Sequence, residues 1–409
     1  MDRRSFVQWG AAALAYAGGG LALRAGAETL PGAEQTPASE GWKIYEVTTT
    51  VSLPAGAAPA RVWLPVTAVE IGDYQRTLST RFDAPGGIAR LARAPGYDVQ
   101  MVAVDWPAAG EAGVSADAGA RVGAEADAGV GRLAGRVPDG SVPGANTQAM
   151  TAQLVNVVAL REHAVDLSLP PSGRARRESA DTVHEYLRPT ALLPTDGIVR
   201  ERAMQITAGM HDDVTRARAI YEWVVDHTCR EASVRGCGTG DVVAMLKTGG
   251  IMNGKCADIN GLFVALARSI GIPARDAYGV RVDASAYGFK AMGKPGDITG
   301  GQHCRAEFYT AGYGWIPVDP ADVRKVALEE VPGGLPMSDL KVQAARAMLF
   351  GKWEMNWVAY NHGHDVALPG SAAAPVPFLM YPNGETSAGV IDSLDAKRFS
   401  YRIASKRLA

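Results

Sequence analysis

The sequence predicts an α+β protein, an N-terminal β-sandwich followed by a second domain of helices packed on an antiparallel sheet. Three observations predict it. Runs of β-branched and aromatic residues bounded by Gly and Pro fill the early part of the chain, the pattern of short sandwich strands. From Asp196 the hydrophobic period becomes that of helices. Beyond Pro273 the signal returns to strands, and helices succeeded by antiparallel strands give an α+β domain.

At the N-terminus, Arg3 and Arg4 precede an uncharged stretch, Trp9–Leu23, and then Ala25-Gly26-Ala27. This is the order of a secretory signal, and the arginine pair resembles the twin-arginine export signal. A membrane span needs about 20 apolar residues, and consecutive glycines interrupt this stretch. Residues 1–27 are therefore expected to be a signal peptide of a protein that is periplasmic or otherwise exported, with no stable span after its removal. The sandwich domain is expected over 28–188, with strands at Ile44–Val51, Arg61–Leu64, Val99–Trp106 and Leu154–Val158. Ala108–Asn146 is built almost entirely from Ala, Gly, Val, Asp and Glu without an aromatic residue. It buries little apolar surface and reads as a flexible insertion.

The second domain is expected over 189–326. Asp196 is a plausible N-cap for a helix to about Ala208, and a second helix from Asp213 to His227 puts Ile220, Trp223 and Val224 on one face. Asp241–Leu246 is a short helix. Cys256–Ile270 is strongly amphipathic through Ile259, Leu262, Phe263, Leu266 and Ile270, and Gly271 stops it. Strands follow at Tyr278–Val282, Cys304–Tyr309 and Trp315–Val318. Residues 327–409 are expected to extend this core, with a helix near Asp339–Leu349 and short strands at Asn356–Tyr360, Val376–Met380 and Phe399–Ala404.

Composition narrows the function. The chain has 409 residues, 47% hydrophobic and 21% charged, with formal net charge −2. That balance lacks the basic footprint of nucleic-acid binding, so no nucleic-acid partner is expected. Four cysteines are too few for a disulfide scaffold of this length. Cys229 and Cys237 either pair as a disulfide in an exported protein or stay free thiols.

One constellation carries chemistry. Cys256 lies in Gly254-Lys255-Cys256-Ala257-Asp258, directly before the amphipathic helix. The helix dipole, free N–H groups and Lys255 favour a thiolate there. His303 opens one strand and Asp319 closes the next, so antiparallel pairing brings the two side by side. Cys256, His303 and Asp319 supply a nucleophile, a base and an orienting carboxylate. Each has a plainer role available: a core thiol, a structural histidine, a turn aspartate before Pro320. Cys304 alternates away from His303 and reads as core, and Asp258 as a first-turn carboxylate. The Cys256 N–H is a natural oxyanion donor; Asn253, Trp223 and the Arg235–Gly238 loop are alternatives for a second.

Cys256 at a helix start, the Gly271-Ile272-Pro273-Ala274-Arg275 turn and the run Gly314–Pro320 together resemble the transglutaminase-like core, over roughly Leu187 to Lys325. The resemblance implies a papain-like cysteine fold in which Cys256 is the nucleophile, His303 the general base and acid, and Asp319 the partner of the imidazole. It implies acyl transfer or hydrolysis at a peptide or amide bond of a peptide or protein substrate, through a thioester. Many members have an aromatic residue two places after the histidine, where this chain has Arg305. A non-catalytic peptide- or glycan-binding module on the same fold is the alternative.

Two other motifs compete. Gly249–Cys256 nearly matches a phosphate-binding loop, but Cys stands where Mg²⁺ needs Ser or Thr, and a helix rather than a strand precedes it. His362-Gly363-His364-Asp365 hints at a metal without a third ligand at recognisable spacing. No cofactor and no metal are expected.

Overall fold

The computed structural model describes residues 41–54, 56–108, 149–171 and 177–409. The expected signal peptide, and all but the first residue of the expected insertion 108–146, lie outside the described residues.

Two antiparallel sheets make the sandwich. The six-stranded sheet runs, in spatial order, Gly296–Asp297, Ser400–Arg407, Lys43–Leu53, Met150–Leu160, Gln75–Asp83 and Glu70–Ile71. The five-stranded sheet runs Gly389–Ile391, Asn383–Thr386, Ala60–Pro65, Gln100–Trp106 and Ile88–Arg93. Alternate residues of Lys43–Leu53 point inward, as the period of two requires. Val51, Leu53 and Leu154 meet Val62, Leu64, Val102 and Val104 between the sheets. Gln75–Asp83 and Ile88–Arg93 carry many polar residues and are half exposed, so they lack the apolar signature by which the other strands are read.

Beyond the sandwich strands the chain builds a four-stranded antiparallel sheet in the order Gly314–Val318, Gln302–Thr310, Ala274–Arg281, Trp357–Asn361. Helix Cys256–Ser269 is buried along its whole length. It packs with helices Gly197–Ile206, Asp213–His227, Val242–Leu246 and Pro320–Glu329 in one apolar cluster. A second cluster joins Tyr45, Val47 and Val158 of the sandwich to Val280, Trp353 and Trp357. The central sheet is therefore covered on both sides, which explains why every residue of Ala274–Arg281 is buried instead of alternating.

The C-terminal segment departs from the expected core extension. Helix Leu340–Met348 and strand Trp357–Asn361 do join the core. From Asn383 onward the chain returns to the sandwich: Ser400–Arg407 pairs with Lys43–Leu53, and Asn383–Thr386 with Ala60–Pro65. The cause is edge completion. Lys43–Leu53 and Ala60–Pro65 each have one neighbour from the N-terminal segment, Met150–Leu160 and Gln100–Trp106, and open backbone edges recruit further strands. Val376–Met380 forms no strand, only a bridge from Val376 to Val366.

Candidate active site

The first residue of the buried helix is Cys256, 3% exposed. The turn before it is fixed by Asp258, whose carboxylate accepts from the Lys255, Thr239 and Gly240 N–H groups, each at 2.9 Å. Asp258 is thus more than a first-turn carboxylate: it ties the 237–240 loop to the helix start. Gly238 sits at φ +92°, and a Cβ there would overlap the Asp258 carboxylate, so the loop accepts only glycine. Burial pushes the Asp258 carboxyl up, against the three N–H bonds that lower it. Ala257 N–H donates to the Cys237 carbonyl at 2.9 Å. The Cys256 N–H is at the first helical position, where no carbonyl lies one turn behind.

The pairing Ala306↔Val318 brings the start of one strand beside the end of the next. His303 Nε2 and Asp319 Oδ2 are 2.7 Å apart, which leaves the other ring nitrogen free of that carboxylate, and the imidazole is near enough to Cys256 to lower its thiol. The remaining Asp319 oxygen accepts from Asn260 Nδ2 at 3.2 Å and from the Asp322 N–H at 3.0 Å. Asp319 therefore also caps helix Pro320–Glu329, with Pro320 at the first turn. One carboxylate thus faces the imidazole and caps the helix backbone.

The surroundings hold charges that sequence reasoning missed. Asp322, one turn beyond Asp319, places Oδ2 3.5 Å from His303 Nε2 and is ion-paired with Arg281. Arg305 Nε lies 3.5 Å from Asp319 Oδ2, and its guanidinium sits 5.6 and 5.0 Å from the Trp353 and Trp357 rings. Aromatic surroundings for position 305 come from two other strands, Lys352–Trp353 and Trp357–Asn361. The signal for Asp322 is the Asp319-Pro320-Ala321-Asp322 spacing: an N-cap and a residue three further share one helix face.

Burial and Arg281 press the His303 imidazolium down, but Asp322 and Asp319 outweigh them and hold it above its ordinary range. Burial and the neighbouring Asp322 push the Asp319 carboxyl up, opposed by His303 and Arg305. Asp322 is held well below the usual carboxylate range: burial acts against this, and Arg281 and His303 prevail. Burial lowers Arg305 to about 10, still charged at neutral pH. Hydrogen bonds from the Cys237 and Cys304 thiols and the pairing with His303 hold Cys256 well below the usual thiol range, despite burial. The two neighbouring thiols are pushed up, Cys237 by its bond to Cys256 and by burial, Cys304 by burial first.

Among the described residues all four cysteines are unpaired. Cys237 points to Cys256 and to the Gln302 carbonyl, 3.5 Å away, rather than to Cys229. Cys304 is in the core, as its alternation implies, and its thiol also reaches Cys256. Of the sequence candidates for a second oxyanion donor, the loop containing Gly236 and Cys237 lines the cleft with Cys256, whereas Asn253 is in a strand paired with Thr228–Arg230 and Trp223 stacks on His227. His303, Asp319 and Asp322 offer ligand atoms within 4.8 Å of one another, but Arg281 and Arg305 already neutralise both carboxylates. His362 Nδ1 lies 2.9 Å from the Asp276 backbone carbonyl, and His364 Nε2 lies 3.0 Å from the Asp276 carboxylate. Burial, then Arg275, lowers His362 to about 3.

Cys256 and His303 open on a cleft of about 650 Å³ bordered by Gly301, Gln302 and Tyr381. Residues 200–320 match the transglutaminase-like superfamily. A Haemophilus influenzae relative named only as an uncharacterized protein is 44% identical over 236 residues, which is 55% of this chain. The chain spans 63% of that relative's length. A candidate cysteine protease from Cytophaga hutchinsonii is similar in structure at 14% identity and a TM-score of 0.45, over 90% of this chain and 99% of that one. The periplasmic domain of TgpA from Pseudomonas aeruginosa is similar at 14% identity and a TM-score of 0.31, over 76% of this chain and 94% of that one.

Proposed function

We propose that the protein, whose residues 200–320 match the transglutaminase-like superfamily, is an exported cysteine enzyme acting on peptide or amide bonds. The observation that carries this is that Cys256 and His303 share one cleft, with His303 Nε2 2.7 Å from the buried Asp319 carboxylate; Asp322 and Asp319 together hold the imidazole high, and the thiol is held low. That combination favours the thiolate–imidazolium pair over the neutral pair, and the thiolate is the nucleophile. Cys256 Sγ attacks the acyl carbon, and the oxygen takes up charge beside the Cys256 N–H. The C–N bond breaks as His303 gives its proton to the leaving amine, leaving a thioester on Cys256. A water or a second amine then gives a proton to His303 and attacks the thioester, releasing acid or new amide and restoring the thiolate. Asp319 keeps the imidazole in one tautomer throughout.

The reading of the N-terminus as an export signal supports a periplasmic site of action. Among the described residues no helix is long and apolar enough to cross a membrane. The test of function is incubation with a peptide mixture and a biotinylated amine. New peptide termini report hydrolysis, biotin incorporation reports transfer, and both are expected to vanish in Cys256→Ala. Product formation unchanged in Cys256→Ala would overturn the proposal.

A further inference from the structure

The cleft in front of Cys256 has an electrostatic character opposite to that of the chain. Its walls carry six fixed cations, Arg230, Lys255, Arg281, Lys290, Lys294 and Lys325, against two carboxylates, Asp297 and Glu329, while the whole chain has formal net charge −2. The two carboxylates are committed. Asp297 lies 3.3 Å from Arg402, and Glu329 is shared between Arg230 and Lys325. Arg281 is committed inward to Asp322. Lys255, half-buried, and Lys290 and Lys294, both exposed, have no carboxylate partner among the described residues. The segment that carries Lys290 and Lys294 is nevertheless tied down: Glu330 accepts from the Lys290 and Ala291 N–H groups at 3.1 and 3.0 Å, and the Met292 carbonyl accepts from Arg281 and Asn356 at 2.9 and 2.8 Å. Glu330 is itself charge-paired with Lys341, so it does not answer the two cleft lysines.

Cations that line a concave wall focus their field into it, and two held on a fixed backbone form a ready site for carboxylates. We propose that the cleft selects acyl donors of acidic sequence, a peptide segment whose carboxylates meet Lys290 and Lys294 while its reacting carbonyl reaches Cys256. This rests on Cys256 being the nucleophile, and it adds the substrate's charge class to that reading. The amide bond that such a thiolate attacks belongs to a peptide, which favours an acidic peptide over a nucleic acid as the anionic occupant.

The test uses the full chain carrying Cys256→Ala, so that binding is read without turnover. Two labelled hexapeptides are compared, one with four Glu and the other with Gln in their place. The Glu peptide is expected to bind roughly tenfold more tightly at low ionic strength, a gain of the size two exposed charge pairs supply, and salt is expected to erode it. Lys290→Glu with Lys294→Glu is expected to abolish the preference. Arg81→Glu with Arg93→Glu, the same charge change on the sandwich, is expected to preserve it. Equal binding of the two peptides, a preference that survives reversal at 290 and 294, or one that falls equally in the sandwich variant would overturn the proposal. So would a single-stranded oligonucleotide of equal charge binding more tightly than the Glu peptide. Selective peptide binding combined with an inert wild-type protein would instead overturn only the enzymatic reading.

Discussion

Asp319→Asn is the substitution that separates the catalytic architecture from a structural one. The wild-type carboxylate divides its oxygens: one faces His303 at 2.7 Å, and the other accepts from Asn260 and from the Asp322 N–H. An asparagine carbonyl can still cap the helix, but its amide then presents a donor to His303 Nε2. What is lost is a hydrogen bond to a charged group, worth about 1.5–3 kcal/mol, hence roughly a 10- to 100-fold smaller population of the ion pair at about 1.4 kcal/mol per decade. The pair exists above the pH at which the depressed Cys256 thiol ionises and below the pH at which the raised His303 loses its proton. Removing Asp319 lowers His303 and, with a weaker imidazolium, raises Cys256, so the window closes from both sides. The assay is the pH profile of Cys256 alkylation by iodoacetamide, read by peptide mass mapping, which needs no substrate. Alkylation at mildly acidic pH should fall by that factor in Asp319→Asn, and kcat with any substrate by about 10²–10⁴. Superimposable alkylation profiles from two equally folded proteins would refute the reasoning.

Asp322→Asn removes one partner of the buried ion pair with Arg281 and should cost about 3–5 kcal/mol in urea unfolding at neutral pH. The Asp322 carboxyl is depressed in the folded chain, so its contribution is complete above the ordinary carboxylate range and is lost as pH falls below it. The stability gap between wild type and variant should therefore narrow in acid, and a gap independent of pH would count against the pairing. Arg305→Met keeps volume between Trp353 and Trp357 but leaves Asp319 without its guanidinium neighbour. A loss of about 3–5 kcal/mol is expected, and one below about 1 kcal/mol, the scale of an exposed pair, would show that the charge is dispensable. Gly238→Ala should move the 237–240 loop away from Asp258 and slow Cys256 alkylation more than it lowers Tm. Unchanged alkylation would argue that the loop does not shape the site.

Much of the core could be read from local pattern. The helix starting at Cys256 and the strands that deliver His303 and Asp319 each carry a complete signature of period and boundary within a few residues. The charged row His303, Arg305, Glu307 could not be placed that way. Polar residues at alternate strand positions read as a solvent face, yet all three are at most 3% exposed. They are buried because the sandwich and the short strand Lys352–Trp353 cover that face, with Tyr74 donating to Glu307 at 2.8 Å and Trp353 near Arg305. The covering residues come from distant parts of the chain, and no local pattern encodes such a partner. The return of Ser400–Arg407 to Lys43–Leu53 is invisible for the same reason. Asp322 was concealed differently: Asp319-Pro320 suggests a turn, and the turn proves to be the first residues of helix Pro320–Glu329.

The central claim is that Cys256 forms a covalent acyl-enzyme, and p-nitrophenyl acetate tests it without knowledge of the natural substrate. A burst of p-nitrophenolate with a single acetyl group on Cys256 is expected in acid-quenched protein, and neither in Cys256→Ala. Acetylation confined to Cys229, Cys237 or lysines, or a burst that persists in Cys256→Ala, would contradict it.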